Sequence, residues 1–197
     1  MTVPPELQRL EARLKDYRGA GDDPAPREGG FLASVALILR IGHGLPEILL
    51  IKRAEAEGDP WSGHMALPGG RYERGDGSLL ETATRETLEE TGLRLEEAGE
   101  ILGRLDLVSP RTPHLPPLSV LPFVFAVPGE ARTRPGSPEV AEIHWISLER
   151  LRDPGSRTTH RISTDQADLS FPAFRVANRT VWGLTHRILL DLLGRFP

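Results

Sequence analysis

Apolar residues recur in two rhythms along this chain of 197 residues. Near its start, Leu7, Leu10 and Leu14 fall at spacings of three and four, which predicts an amphipathic helix over 5–17. Residues 19–30, GAGDDPAPREGG, break the rhythm and read as a tether. The apolar run FLASVALILR at 31–40 and the segment EILLIKR at 47–53 predict a buried hairpin turned by IGHGLP. Gly, Pro and charged residues crowd 54–77, so that stretch is expected to be irregular. A helical rhythm returns over 79–91, and strands are expected at 102–108, 119–127 and 143–146, with loops at 109–118 and 128–138 between them. A short helix over 148–152 and a last one over 181–193, burying Trp182, Leu184, Ile188, Leu189 and Leu192, complete the pattern. The alternation predicts an α/β fold: one mixed domain over 31–197, with the helix and tether of 1–30 as an appendage.

The helix at 79–91 has marked ends. Ser78 is a natural N-cap, Glu81 three residues on completes a capping box, and Gly92 suits a left-handed C-cap. At about 100° per residue, Leu79, Leu80, Ala83, Thr84, Thr87 and Thr91 form the side expected to be buried. Glu86, Glu89 and Glu90 gather at its edge, where like charges at such spacings repel. Arg85 offsets part of this, and a divalent cation would offset more. Anionic oxygen ligands suit Mg²⁺ or Mn²⁺ rather than zinc. Taken alone, the same acids also read as a solvated helix face. The preceding LPGGRYERGD changes the balance, because Gly69 and Gly70 can bring bare backbone up to a metal or a phosphate.

Charge and composition narrow the classes. The formal charge of −4 gives no electrostatic reason to expect a nucleic acid or an anionic membrane as partner. The run at 31–39 is far short of the roughly 18–20 apolar residues that cross a bilayer. No secretory leader is legible in MTVPPELQRL, so a cytoplasmic location is the default expectation. With no cysteine, disulfides, thiolate metal sites and cysteine nucleophiles are excluded.

From Gly70 to Leu93, GRYERGDGSLLETATRETLEETGL resembles the signature of the Nudix hydrolases, G-x5-E-x7-R-E-U-x-E-E-x-G-U with U a bulky apolar residue. Arg85, Glu86, Glu89, Glu90, Gly92 and Leu93 match position by position. The chain departs from the signature by one extra residue between Gly70 and Arg85, by Asp76 in the region of the first glutamate, and by Thr87 in place of an apolar residue. Such an expansion is similar to the coenzyme A pyrophosphatase branch. That branch also carries segments resembling L-L-T-x-R-S-A and R-x3-G-x3-F-P-G-G, here LLIKRAE at 49–55 and GHMALPGG at 63–70. Glu55, Asp59 and Leu67 depart from those patterns, and Asp59 reverses a charge. EVAEIHWISLERL and FPAFRVANRTVWGLTHRILLDLL extend the likeness, which covers 31–193.

The resemblance implies a Nudix-type α/β/α sandwich with a mixed β-sheet and hydrolysis of a nucleoside diphosphate linked to another group. It implies that Glu86, Glu89 and Glu90 hold Mg²⁺ or Mn²⁺, with Gly70 adding its carbonyl and Arg85 orienting the acids. The general base is left between Glu89 or Glu90 and, second, Glu142 or Glu139 from a later loop. Arg53, His64, Gly69 and Arg111 are the expected substrate contacts, with Trp61 and His114 weaker candidates. Coenzyme A or a derivative is the leading substrate, giving 4′-phosphopantetheine (or its acyl form) and adenosine 3′,5′-bisphosphate. Nucleoside triphosphates or nucleotide sugars are the alternative that Asp59 favours, and a non-catalytic nucleotide-binding module is the alternative of another class. A small-molecule partner is therefore expected, and a homodimer stays open.

Overall fold

The computed structural model describes residues 3–57, 61–110, 117–163 and 168–196. In chain order the elements are α1 (Pro5–Glu11), β1 (Phe31–Gly42), β2 (Leu45–Arg53), β3 (Met65–Ala66), β4 (Gly69–Arg71), α2 (Leu79–Thr91), α3 (Leu95–Ala98), β5 (Glu100–Arg104), β6 (Leu118–Ala126), β7 (Val140–Ser147), α4 (Leu148–Arg152), β8 (Arg157–Ser163), β9 (Asp168–Val176), β10 (Arg179–Trp182) and α5 (Gly183–Arg195).

The larger sheet runs β3-β2-β1-β6-β5, with β4 added to β1 and β7 to β2. Its central pair, β1 and β6, is parallel over Phe31–Leu39, and the other pairings are antiparallel, so the sheet is mixed. Strands buried on both faces need continuous apolar runs, and β1 and β6 have them. Alternation then splits the core in two. On one face Ala36, Ile38, Leu49 and Ile51 pack with Leu79 and Ala83 of α2. On the other, Leu37, Leu39, Ile48 and Leu50 pack with residues of α1, α4 and α5 and of the second sheet. The result is the expected α/β/α sandwich.

Several expectations are corrected. The helix expected as an appendage is built into the core, where Leu7 and Leu10 of α1 are fully buried. The stretch 54–77, expected to be irregular, contains β3 and β4. β5 stops at Arg104, and Val108 pairs only as an isolated bridge with Val120. A three-stranded antiparallel sheet, β10-β9-β8, occupies a region for which no strands were expected. Its strands are largely polar, one carries Pro172, and full burial is confined to Ala173, Phe174, Val176 and Val181 among the described side chains. Trp182 is not on the apolar face of the last helix. It ends β10, stacks on His160 at 4.3 Å, and meets His64 edge-on at 5.0 Å. Asp59, Arg111 and His114 lie outside the described residues.

Candidate active site

α2 forms where its caps demand it. The Ser78 side chain accepts a hydrogen bond from the Glu81 amide at 3.2 Å, and Gly92 closes the helix in the left-handed region at φ 68°. The capping box is shifted by one residue, since Glu81 Oε2 accepts from Gly77 rather than from Ser78. The buried side is also rotated from the expected one: Thr82 and Glu90 are buried, while Leu80 and Thr84 are only partly covered.

Glu90 projects toward β4. Its Oε2 accepts a hydrogen bond from the Gly69 amide at 2.9 Å, and the residue is 6% exposed. Gly69 has φ 147°, a conformation open to glycine, and a Cβ there would run into the Ser34 carbonyl of β1. A Cβ on Gly70 would collide with Glu86 Oε1. The two glycines thus let β4 lie directly against the acidic side of α2. Burial pushes the Glu90 carboxyl up to about 8, opposed by the Gly69 hydrogen bond and the positive charge of Arg53. Burial also raises Glu86, against the pull of Arg85. Glu89 points outward, its side chain 55% exposed.

Arg85 is the hub of the polar side. It donates to both oxygens of Asp76 at 2.8 and 3.1 Å, to Glu86 Oε1 at 3.0 Å, to Glu89 Oε2 at 3.4 Å and to the Arg71 carbonyl at 3.2 Å. Asp76 also accepts from the Glu73 amide and from the Thr82 hydroxyl. The Arg85 guanidinium leads these contacts in holding the Asp76 carboxyl at about 2. Asp76 therefore fixes Arg85, a part that its match to the first signature acid did not reveal. Thr82, which backs it, was missed, and a hydroxyl on a helix's first turn gives no specific signal.

The expected site residues do not all meet. Gly69, Gly70, Arg85, Glu86, Glu89 and Glu90 come together, and the charge of Arg53 acts on Glu90. Glu139 is near enough to bear on Glu90 too. His64 is linked to Arg53 through backbone, its carbonyl accepting from the Arg53 amide at 2.9 Å. Glu142 is corrected: it lies within β7, not in a loop. Ile143 and Trp145 pack with the α2-side cluster, so alternation turns Glu142 to the opposite face of the sheet. There Arg179 at 2.6 Å, His144 at 2.9 Å and Lys52 at 3.6 Å surround it, and the first two hold its pKa down. Gly69 is also redirected, since its amide serves Glu90 rather than an open anion site.

The NUDIX domain family model matches residues 30–166, more than half of the chain. The chain belongs to the Nudix family. Among curated relatives, an uncharacterized protein of Schizosaccharomyces pombe is 37% identical over 134 residues, covering 66% of this chain and 41% of its own length. The uncharacterized Nudix hydrolase NudL of Pectobacterium atrosepticum is 29% identical, over 81% of this chain and 80% of its own. The mitochondrial coenzyme A diphosphatase NUDT8 of Mus musculus is also 29% identical, over 91% and 79%. NudL and NUDT8 support the coenzyme A pyrophosphatase-like branch. The chain spans less than half of the yeast protein and about four fifths of the other two. Among solved structures, a MutT/nudix family protein from Enterococcus faecalis superposes with TM-score 0.58 at 23% identity, covering 89% of this chain and 65% of its own. The NUDIX domain of Shewanella oneidensis NrtR complexed with ADP ribose gives 0.53 at 20% identity, over 66% and 80%. Both likenesses concern the fold. Among the described residues no helix is long and apolar enough to cross a membrane.

Nudix hydrolases generally use divalent metals, so the acids of α2 must be compared with that need. Among the described residues no three carboxylate or imidazole groups are already gathered as a metal cluster. Arg85 and the Gly69 amide ease the repulsion between the helix acids, and burial raises the proton affinity of Glu90. The donor chemistry nonetheless fits a hard divalent cation. Glu86 and Glu90 are desolvated carboxylates set against glycine backbone, and no Cβ stands between Glu86 and Gly70.

Proposed function

We propose that this Nudix hydrolase cleaves the pyrophosphate bond of coenzyme A or its derivatives with the help of Mg²⁺ or Mn²⁺. The observation that carries this reading is the approach of two desolvated carboxylates, Glu86 and Glu90, to the backbone of Gly69 and Gly70. Glu86, Glu89 and Glu90, with the Gly70 carbonyl, would hold the ion. When bound, it supplies charge neutralisation at the phosphoanhydride and lowers the pKa of an attacking water.

The chain's own residues do the rest. Arg85, fixed by Asp76, keeps Glu86 and Glu89 in place through charge-assisted hydrogen bonds. In this reading Glu89, the most exposed of the three helix acids, would accept a proton from water. Glu142 is set aside as a base, because Arg179, His144 and Lys52 already engage it on the other face. Arg53 adds positive charge beside Glu90 and would attract a substrate phosphate there. His64, packed edge-on against Trp182, borders the short strand that leads to Gly69. Similarity to the mouse coenzyme A diphosphatase supports the substrate assignment.

A substrate panel with Mg²⁺ or Mn²⁺ tests the reading. Coenzyme A should be cleaved in preference, yielding 4′-phosphopantetheine and adenosine 3′,5′-bisphosphate by mass spectrometry. Faster turnover of a nucleotide sugar or a nucleoside triphosphate would replace coenzyme A as substrate. Binding of a nucleotide without turnover of any would make the chain a non-catalytic module.

A further inference from the structure

The amino end of α2 is held from far away in the sequence. Asp23, in the tether, accepts a hydrogen bond from the Leu79 amide at 2.8 Å through Oδ2. Its Oδ1 accepts another from the Tyr17 hydroxyl, also at 2.8 Å. The Tyr17 ring stands edge-on to Phe123 at 4.7 Å, and its hydroxyl lies beside Ser78 and the Leu80 amide. Burial, with Asp23 second, pushes this phenol up to about 12, so it remains a donor at any physiological pH.

A helix begins with four amides that lack intrahelical partners. Ser78 satisfies one of those here, its side chain taking the Glu81 amide, while its carbonyl accepts from the Thr82 amide as the first intrahelical bond. A local N-cap side chain serves the second or third helical amide and leaves the first. Leu79 is that first amide, and Asp23 takes it with a carboxylate at the positive end of the helix dipole. The far end is clamped as well, with the Gly136 amide donating to the Glu90 carbonyl and the Arg134 amide to that of Thr91, both at 3.0 Å.

We propose that Asp23, backed by Tyr17, is a positioning residue that fixes α2 so that Glu86, Glu89 and Glu90 keep their placement against Gly69 and Gly70. The tether then belongs to the site although it precedes the matched region, which begins at residue 30. A continuous chain of contacts carries the effect. The first turn holds Thr82, whose hydroxyl donates to Asp76, and Asp76 fixes Arg85, which grips Glu86 and Glu89. The role of the acids rests on the proposed function, whereas the anchoring of the helix does not.

Asp23→Ala, Asp23→Asn and Tyr17→Phe in the full chain test this. Hydrogen exchange of the α2 amides, Mn²⁺ affinity by electron paramagnetic resonance, and coenzyme A turnover are the readouts. Asp23→Ala should speed exchange of the first-turn amides about fivefold, as loss of a cap does, and exchange at 86–90 should rise with it. Mn²⁺ binding should weaken and kcat fall several-fold, with little change in KM. Asp23→Asn retains an acceptor and should recover most of each loss, and Tyr17→Phe should fall between the two. Unchanged exchange in Asp23→Ala overturns the proposal. So does a loosened first turn with unchanged Mn²⁺ affinity, which would leave Asp23 a stabilising cap only. A wild-type chain that neither binds Mn²⁺ nor cleaves any nucleotide sinks the proposed function alone, and exchange at 86–90 in Asp23→Ala then decides the anchor.

Discussion

Glu90→Gln changes one buried oxygen to an amide and keeps an acceptor for the Gly69 N–H. If Glu90 is a metal ligand, turnover should fall by about 10²-fold. Thermal unfolding of the metal-free variant should show no loss of stability, since a neutral amide replaces a carboxyl whose charge burial already disfavours. A variant that folds as well as wild type and keeps full activity would remove Glu90 from the site. Asp76 makes a separate prediction. Its native pKa, about 2, lies below the ordinary 3.8, so its ionised form stabilises the fold above that ordinary value. The stabilisation, about 2 kcal/mol, should disappear as pH falls through the interval between the two. Urea unfolding of wild type and Asp76→Asn should therefore differ at neutral pH and converge toward pH about 2. A gap that persists undiminished at the acid end would mean that the Asp76–Arg85 pair is not its source.

At the scale of elements, what the sequence made legible was what neighbouring residues decide. α2 begins and ends where expected, because Ser78, Gly92 and the spacing of Leu79, Ala83 and Thr87 lie within the segment itself. β1 and β2 were legible for a similar reason, as continuous apolar runs around a Gly-rich turn. The face that α2 presents was not fully legible. Glu90 belongs to the buried side only because β4, two glycines wide at that point, lies flat against it. β4 is itself defined by its pairing with Ala33, Ser34 and Val35 of β1, a partner far away in the chain. β8, β9 and β10 escaped for the opposite reason. A sheet with one face largely in water needs few apolar residues, and Phe174, Val176 and Val181 alone do not mark three strands. Trp182 was misplaced with them, read onto a helix that begins one residue later. The acids of the candidate site were therefore legible as a set, while their burial and the divergence of Glu142 depended on contacts across the sheet.

For the whole molecule, the distinction that matters is between an appended amino-terminal helix and an integral one. Leu7 and Leu10 have no exposed surface, and they share a core cluster with Leu102 and Leu105, near and beyond the end of β5, and with Leu189 and Leu192 of α5. Polar contacts close the same seam. Lys15 pairs with Asp106, which also pairs with Arg195 at 2.7 Å, and Arg13 and Arg195 exchange hydrogen bonds with each other's carbonyls at 3.2 Å. Backbone bonds between Lys15 and Arg104 extend the sheet edge by one bridge, which Gly103 permits by having no side chain at the approach of Lys15. Leu10→Ala should consequently destabilise the protein by about 2–5 kcal/mol, the range for a large core residue cut to alanine. A helix merely tethered to the surface would show a change of about 0.5 kcal/mol or less. Equilibrium urea unfolding separates these outcomes. A small effect would mean that α1 leaves the core in solution, and the tether could not then hold Asp23 steadily at the head of α2.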